Sequence, residues 1–202
     1  MEQFIRVKGI AAPLMRINID TDQIIPARFL VRTSKEGIGE GLFADWRKSA
    51  DFILNRQPFE GAVVILADRN FGCGSSREAA PQALRDRGFR AVIAPSFGGI
   101  FYNNCFRNGI VPVEMPIENV RQIAGEMEAS GGRSEVTVDL EALRVSTAGG
   151  LSFDFIVPSM MREMMLAGKD EIEMTLEKGE RIHAFRLTDK ARRPWAYALA
   201  PG

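Results

Sequence analysis

AVVILADRNFGCGSSREAAPQALRDRGFRAVIAPSFGGIFYNNCFRNGIVPV, residues 62–113, is the stretch whose reading decides the fold. Ala62–Ala67, Ala91–Ala94 and Ile110–Val113 read as short buried strands. Between them, residues 77–87 and 97–108 have helical patterning, with Ser96 as an N-cap candidate and Gly109 as a stop. Strand-helix-strand-helix-strand over some fifty residues implies parallel strands joined by crossovers.

Outward from this centre, Phe4–Ile10 is strand-like, and Pro13 and Pro26 punctuate the polar-apolar stretch around residues 16–25. A glycine-rich stretch follows, with a helix expected around residues 45–54. On the other side, a helix is expected over residues 117–129. The segments 135–139, 143–146 and 151–156 then read as an antiparallel meander broken by Gly149-Gly150. Pro158 opens a helix whose methionines 160, 161, 164 and 165 recur at helical spacing and read as core filler. The expected fold is therefore α/β, with β/β/α layers, a parallel βαβαβ centre and an antiparallel C-terminal meander.

Composition narrows the function. The 202 residues are 46% hydrophobic and 26% charged, which suits one globular domain spanning residues 1–202 with a tail at 190–202. Twenty-six basic residues balance twenty-six acidic ones. Neither a nucleic-acid nor a membrane-surface role has global electrostatic support. No signal-peptide core or membrane-length apolar run is present, so the expected location is cytoplasmic. Cys73 and Cys105 are too few for a disulfide framework or for the thiolates of an iron-sulfur cluster, and no metal site is expected in this chain. The one histidine, His183, excludes zinc held by several imidazoles.

Two motifs carry candidate chemistry. The first, NFGCGSSRE at 70–78, sits between a strand and a helix. Its glycines allow a tight turn, and Ser75, Ser76 and Arg77 are expected at the helix start, where unpaired N–H groups favour an anion. Arg77 could grip a carboxylate bidentately. The motif has neither the lysine of a P-loop nor the third glycine of a dinucleotide fingerprint. A capped turn without a ligand remains an equal alternative on pattern alone. No Lys or His in the motif activates Cys73, which reads as packed beneath the loop. The second motif, NIDTDQIIP at 18–26, places Asp20 and Asp22 at i and i+2 around Thr21 at a strand end. Either hydrogen bonding to a hydroxyl or arginine, or an Asp-rich turn, accounts for it.

Together with NIDTDQIIPARFL at 18–30 and RAVIAPSFGGIFYNNCFRNGIVPV at 90–113, these motifs resemble the small subunits of 3-isopropylmalate dehydratases, in the aconitase superfamily. The resemblance covers nearly the whole chain. It implies a swivelling domain paired with a large subunit that carries a [4Fe-4S] cluster, a small carboxylic acid substrate, and isomerisation of 2- and 3-isopropylmalate by dehydration and rehydration. It implies Ser75 as the catalytic base, Asp22 as a catalytic aspartate, and Ser76, Arg77 and Thr21 as substrate-binding residues, with Asp20 in support. Residues 28–61 are the expected substrate-selectivity loop and following helix, with Arg32, Ile38 and Leu42 as its selective side chains. Ala79 stands where these proteins usually have histidine. Small subunits acting on citramalate, dimethylmalate or homoaconitate, and a carboxylate-binding module without catalysis, are the alternatives.

Overall fold

A computed structural model describes residues 2–30, 37–75 and 77–197. The chain divides into two compact units, Met1–Gly168 and Lys169–Gly202. Two four-stranded sheets build the first unit. Strand β1 (Arg6–Gly9) lies in one sheet and β2 (Ala11–Leu14) in the other, so the chain changes sheets at Ile10. A single helical turn, α1 (Thr21–Ile24), follows. Next come β3 (Val64–Ala67), α2 (Ala79–Asp86), β4 (Ala91–Ala94), α3 (Gly99–Arg107) and β5 (Val111–Glu114). The four strands β2-β3-β4-β5 pair in parallel and in that order; β3, β4 and β5 are the strands expected from the central stretch of sequence, and β2 joins them at the edge.

Alternate residues of this sheet supply two cores. Val64, Leu66, Ala91, Ile93, Val111 and Val113 are buried in one core, on which α4 (Ile117–Ala129) packs with Val120, Ile123 and Met127. Ile65, Ala67, Val92 and Ala94 are buried in the other, with Ala80, Ala83 and Leu84 of α2 and Phe101 and Cys105 of α3. The antiparallel sheet shares the first core through Val136, Val138 and Val145. It contains the meander β6 (Val136–Asp139), β7 (Arg144–Thr147) and β8 (Ser152–Asp154), with β1 added at the free edge of β6. The pairing of the N-terminal strand with a hairpin some 130 residues later was not legible in local pattern. Helix α5 (Ser159–Ala167) buries Met164 and Met165 and leaves Met160 exposed, so only part of the methionine stripe is core.

The second unit contains α6 (Glu171–Leu176) and α7 (Gly179–Arg192), followed by a 3-10 turn at Pro194–Tyr197. Asp189 accepts two hydrogen bonds from Arg193 at 2.7 Å and one from the Tyr197 hydroxyl at 2.8 Å. The residues expected as a tail from 190 therefore begin inside a helix. His183 is exposed on α7. Among the described residues, no helix is long and apolar enough to cross a membrane.

Three local expectations are corrected. The helix expected at 45–54 is instead two 3-10 turns, Trp46–Lys48 and Ile53–Asn55. Phe43, Trp46 and Phe52 meet with ring centroids 5.2–5.9 Å apart, while Arg47 and Asn55 side chains take the carbonyls of Leu42, Leu54, Arg47 and Ser49. Those bonds compete with a helical ladder. The helix expected at 97–108 starts at Gly99, and Ser96 does not cap it. Residues 96–98 are held extended by a bridge between Phe71 and Phe97, and the Ser96 hydroxyl accepts from the Asn70 N–H at 2.9 Å. The helix expected from residue 77 starts at Ala79.

Candidate active site

The two motifs leave the carboxyl ends of neighbouring parallel strands, β2 and β3, where open α/β sheets place their ligands. Past the strand ends the turns continue side by side. Asn18 N–H donates to the Arg69 carbonyl at 3.0 Å, Gly72 N–H to Ile19 at 2.7 Å and Thr21 N–H to Cys73 at 3.0 Å. On the other flank, Phe71 N–H donates to Ser96 at 3.1 Å and Gly98 N–H to Phe71 at 2.9 Å. The 69–75 turn is thus the middle of three joined connections.

Its glycines are required by geometry. Gly72 has φ +71, and a Cβ there would overlap the Phe101 ring. Gly74 has φ +86. A side chain on Gly98 would overlap the Gly72 carbonyl. Asn18 and Asn70 also occupy left-handed backbone, at φ 55 and 64, and Asn70 Nδ2 donates to Asn18 Oδ1 at 2.9 Å. Asparagine is among the few non-glycine residues that tolerate this region. Sequence reading passed over this pair, although an Asn flanking each motif was the available signal.

Beyond this braced base, Ser75 is exposed. Arg77 Nη1 donates to Asp22 Oδ1, joining the motifs through an ion pair in which the Arg77 side chain is 19% exposed and Asp22 55%. Asp20 does not stand beside Asp22 at a strand end as expected. It caps α1, accepting from Gln23 N–H at 2.7 Å while its own N–H donates to Gln23 Oε1 at 3.0 Å. Thr21, expected to touch substrate, is only 2% exposed, and its hydroxyl donates to the Ser75 carbonyl at 3.0 Å. The expectation that Ser75 and Arg77 lie in the first turn of a helix is also corrected, because α2 begins at Ala79. Ala79 itself packs partly buried against the α2-side core.

The selectivity residues fare differently. Leu42 is fully buried, so it is core and presents no surface to a substrate. Ile38 packs partly buried on the same core. The turn Ile38–Gly41 is tied to the far end of α2, where Gly39 N–H donates to Asp86 at 2.8 Å. Eight helical residues, about 12 Å, lie between that tie and the start of α2 near Ser75. Arg32 and Ser76 fall outside the described residues. Around this turn, Phe71 and Phe101 are buried with ring centroids 5.4 Å apart, while Ile100 is 55% exposed.

The thiols do not suit cluster ligation. Cys105 is wholly buried, and its pKa is pushed well up by that burial. Burial, aided by the Asp20 charge, also raises that of Cys73. Among the described residues, no three His, Cys, Asp or Glu side chains are grouped to hold a metal ion.

A parallel sheet with paired turns at its carboxyl edge, presenting an exposed serine beside an arginine-aspartate pair, is here that of an aconitase C-terminal domain, whose family model matches residues 1–118. The chain is 47% identical to the 3-isopropylmalate dehydratase small subunit of Cupriavidus necator, over 98% of this chain and 99% of that one. It is 45% identical to the protein of that name from Rhodospirillum centenum, over 97% and 99% of the two chains. The crystal structure of 3-isopropylmalate dehydratase from Methanocaldococcus jannaschii is similar with a TM-score of 0.65 and 27% identity, over 90% of this chain and 99% of that one. The chain therefore belongs to the 3-isopropylmalate dehydratase small-subunit family, within the aconitase C-terminal domain family.

Proposed function

We propose that the paired turns are the proton-transfer and carboxylate-binding half of a hydro-lyase active site. The chain is a small subunit of 3-isopropylmalate dehydratase, an enzyme of leucine biosynthesis, and a small subunit implies a large one. The observation that carries the assignment is the Arg77–Asp22 pair, which joins two motifs 55 residues apart beside the exposed Ser75.

The reaction moves a hydroxyl between adjacent carbons of isopropylmalate through an alkene, with loss and return of water. Ser75, as its alkoxide, removes the proton from the carbon beside a carboxylate and returns it in the second half. Its exposure lets it reach a substrate held mostly by another chain. The guanidinium of Arg77 stabilises negative charge next to it and receives the substrate carboxylate, a fork matched to two oxygens. Asp22 holds that guanidinium in place while leaving other N–H groups for the substrate. Ser76 adds a hydrogen bond to substrate. A [4Fe-4S] cluster on the large subunit supplies the Lewis acid for the departing hydroxyl. The chain acts as the swivelling domain of this two-subunit enzyme in the cytoplasm.

Anaerobic pairing with the large subunit, followed by alkene absorbance with 3-isopropylmalate, citramalate and homocitrate, tests the proposal. Turnover of 3-isopropylmalate by the pair, none by the chain alone, and loss of turnover in Ser75→Ala are the expected results. An undiminished rate in Ser75→Ala overturns the assignment of the base.

A further inference from the structure

Thr21 forms a two-point contact with the turn that carries Ser75. Its backbone N–H donates to the Cys73 carbonyl at 3.0 Å, and its hydroxyl donates to the Ser75 carbonyl at 3.0 Å. The two acceptors flank Gly74, which turns through φ +86 and has no side chain to restrict it. A glycine in that position leaves the backbone free to adopt several conformations, so something outside the turn must choose one. Thr21 is well suited to do so, because its own position is strongly determined. It is 2% exposed, it is the first residue of α1, and Asp20 before it is fixed by the capping box with Gln23. Ile24 and Ile25, one helical turn further on, are fully buried.

We infer that Thr21 is a positioning residue for the reaction: by holding the carbonyls of Cys73 and Ser75 on its N–H and hydroxyl, it sets the direction in which the Ser75 side chain faces the substrate. This rests on the proposed role of Ser75 as the base. It reassigns Thr21 from substrate contact to support of the base. The physical requirement is steep, since a displacement of about 1 Å at a reacting group can cost roughly a hundredfold in rate. Within the buried Thr21 side chain, the hydroxyl is the group that donates to Ser75. The Thr21 hydroxyl to Ser75 carbonyl bond is part-buried, and a carbonyl there that loses its donor favours a turn rearranged to find water.

Thr21→Val keeps the shape and removes the hydroxyl, while Thr21→Ser keeps the hydroxyl and removes the methyl. In the reconstituted two-subunit enzyme, Thr21→Val is expected to lower kcat about 10- to 100-fold with KM for 3-isopropylmalate within about threefold. Thr21→Ser is expected to remain within about threefold of the parent in both. Should the valine variant not fold, Thr21→Ala against Thr21→Ser makes the same comparison, as they differ only by the oxygen. Unchanged kcat in a hydroxyl-free variant overturns the inference, and so does a rise in KM alone, which would make Thr21 a substrate contact. A fall in thermal midpoint with kcat per assembled enzyme intact also overturns it, since that is a merely structural role. Ser75→Ala, measured in parallel, separates the two readings: if it retains activity the base assignment fails, whereas an inactive Ser75→Ala with a fully active Thr21→Val defeats the inference about Thr21 alone.

Discussion

Two glycine-rich segments of the first unit use glycine in different proportions for backbone conformation and for close packing. In the 69–75 turn, Gly72 and Gly74 have positive φ, and the result is an exposed serine on a braced loop. In the 37–43 segment Gly37 enters the turn at φ +75, but neither Gly39 nor Gly41 has positive φ. Each is small because something packs where a Cβ would be: Asp86 and Arg87 at 2.8 Å over Gly39, and the Phe29 ring at 2.7 Å over Gly41. There the result is burial of Leu42 and Phe43. Glycine content marks a place where backbone must be special, but conformational need and close packing leave the same mark in a sequence.

The largest expected effect on this contrast comes from Ser75→Ala, which should lower turnover of the reconstituted enzyme by about 10²–10⁴-fold. Because Ser75 is exposed, the thermal unfolding midpoint of the isolated chain should stay unchanged in calorimetry. Next come the glycines. Gly72→Ala combines a left-handed backbone with overlap of the buried Phe101 ring, and should cost about 3 kcal/mol in urea unfolding as well as activity. Gly41→Ala meets the partly exposed Phe29 without a left-handed backbone and should cost about 1–2 kcal/mol. Equal losses at the two glycines would dissolve the distinction.

Arg77→Lys keeps the charge and loses the fork, so kcat/KM for 3-isopropylmalate should fall about tenfold, with KM carrying most of the change. No corresponding loss is expected from Arg28→Lys, since Arg28 serves the other segment. Arg28 forms two bonds to Asp45, at 3.0 and 2.8 Å, which clamp the ends of the segment that contains Gly39 and Gly41. The smallest effect belongs to this clamp. Hydrogen bonds from Arg28 and then Lys48 lower the Asp45 pKa from 3.8 to about 2. A lowered folded-state pKa means that the clamp contributes fully above the unfolded value and is lost as pH falls through about 2. An NMR titration of Asp45 should show that midpoint, and Arg28→Ala should move it upward.

Much of the fold was legible because it is local. Three apolar strands with helices between them favour parallel pairing, and β3, β4 and β5 pair that way in sequence order. The two motifs were legible as motifs, and the structure pairs Arg77 of one, two residues along the chain from the exposed Ser75, with Asp22 of the other. Misreadings arose where distant contacts override local preference. Ser96 looks like a helix cap, yet the Asn70 N–H claims its hydroxyl from 26 residues away. Leu42 looks like a selective side chain on a loop, yet core packing removes it from any surface.

From the sequence alone came the strand-helix alternation, the resemblance and the chemistry-bearing residue types, because periodicity, turn residues and side-chain chemistry are written in consecutive letters. Tertiary structure decided that Thr21 faces inward to Ser75, that Asp22 meets Arg77, and that β1 leaves its neighbour β2 to join β6. Each is a contact between residues more than 50 positions apart in the chain. Such contacts depend on how whole strands stack and which side chains exclude water together, and no local pattern encodes that.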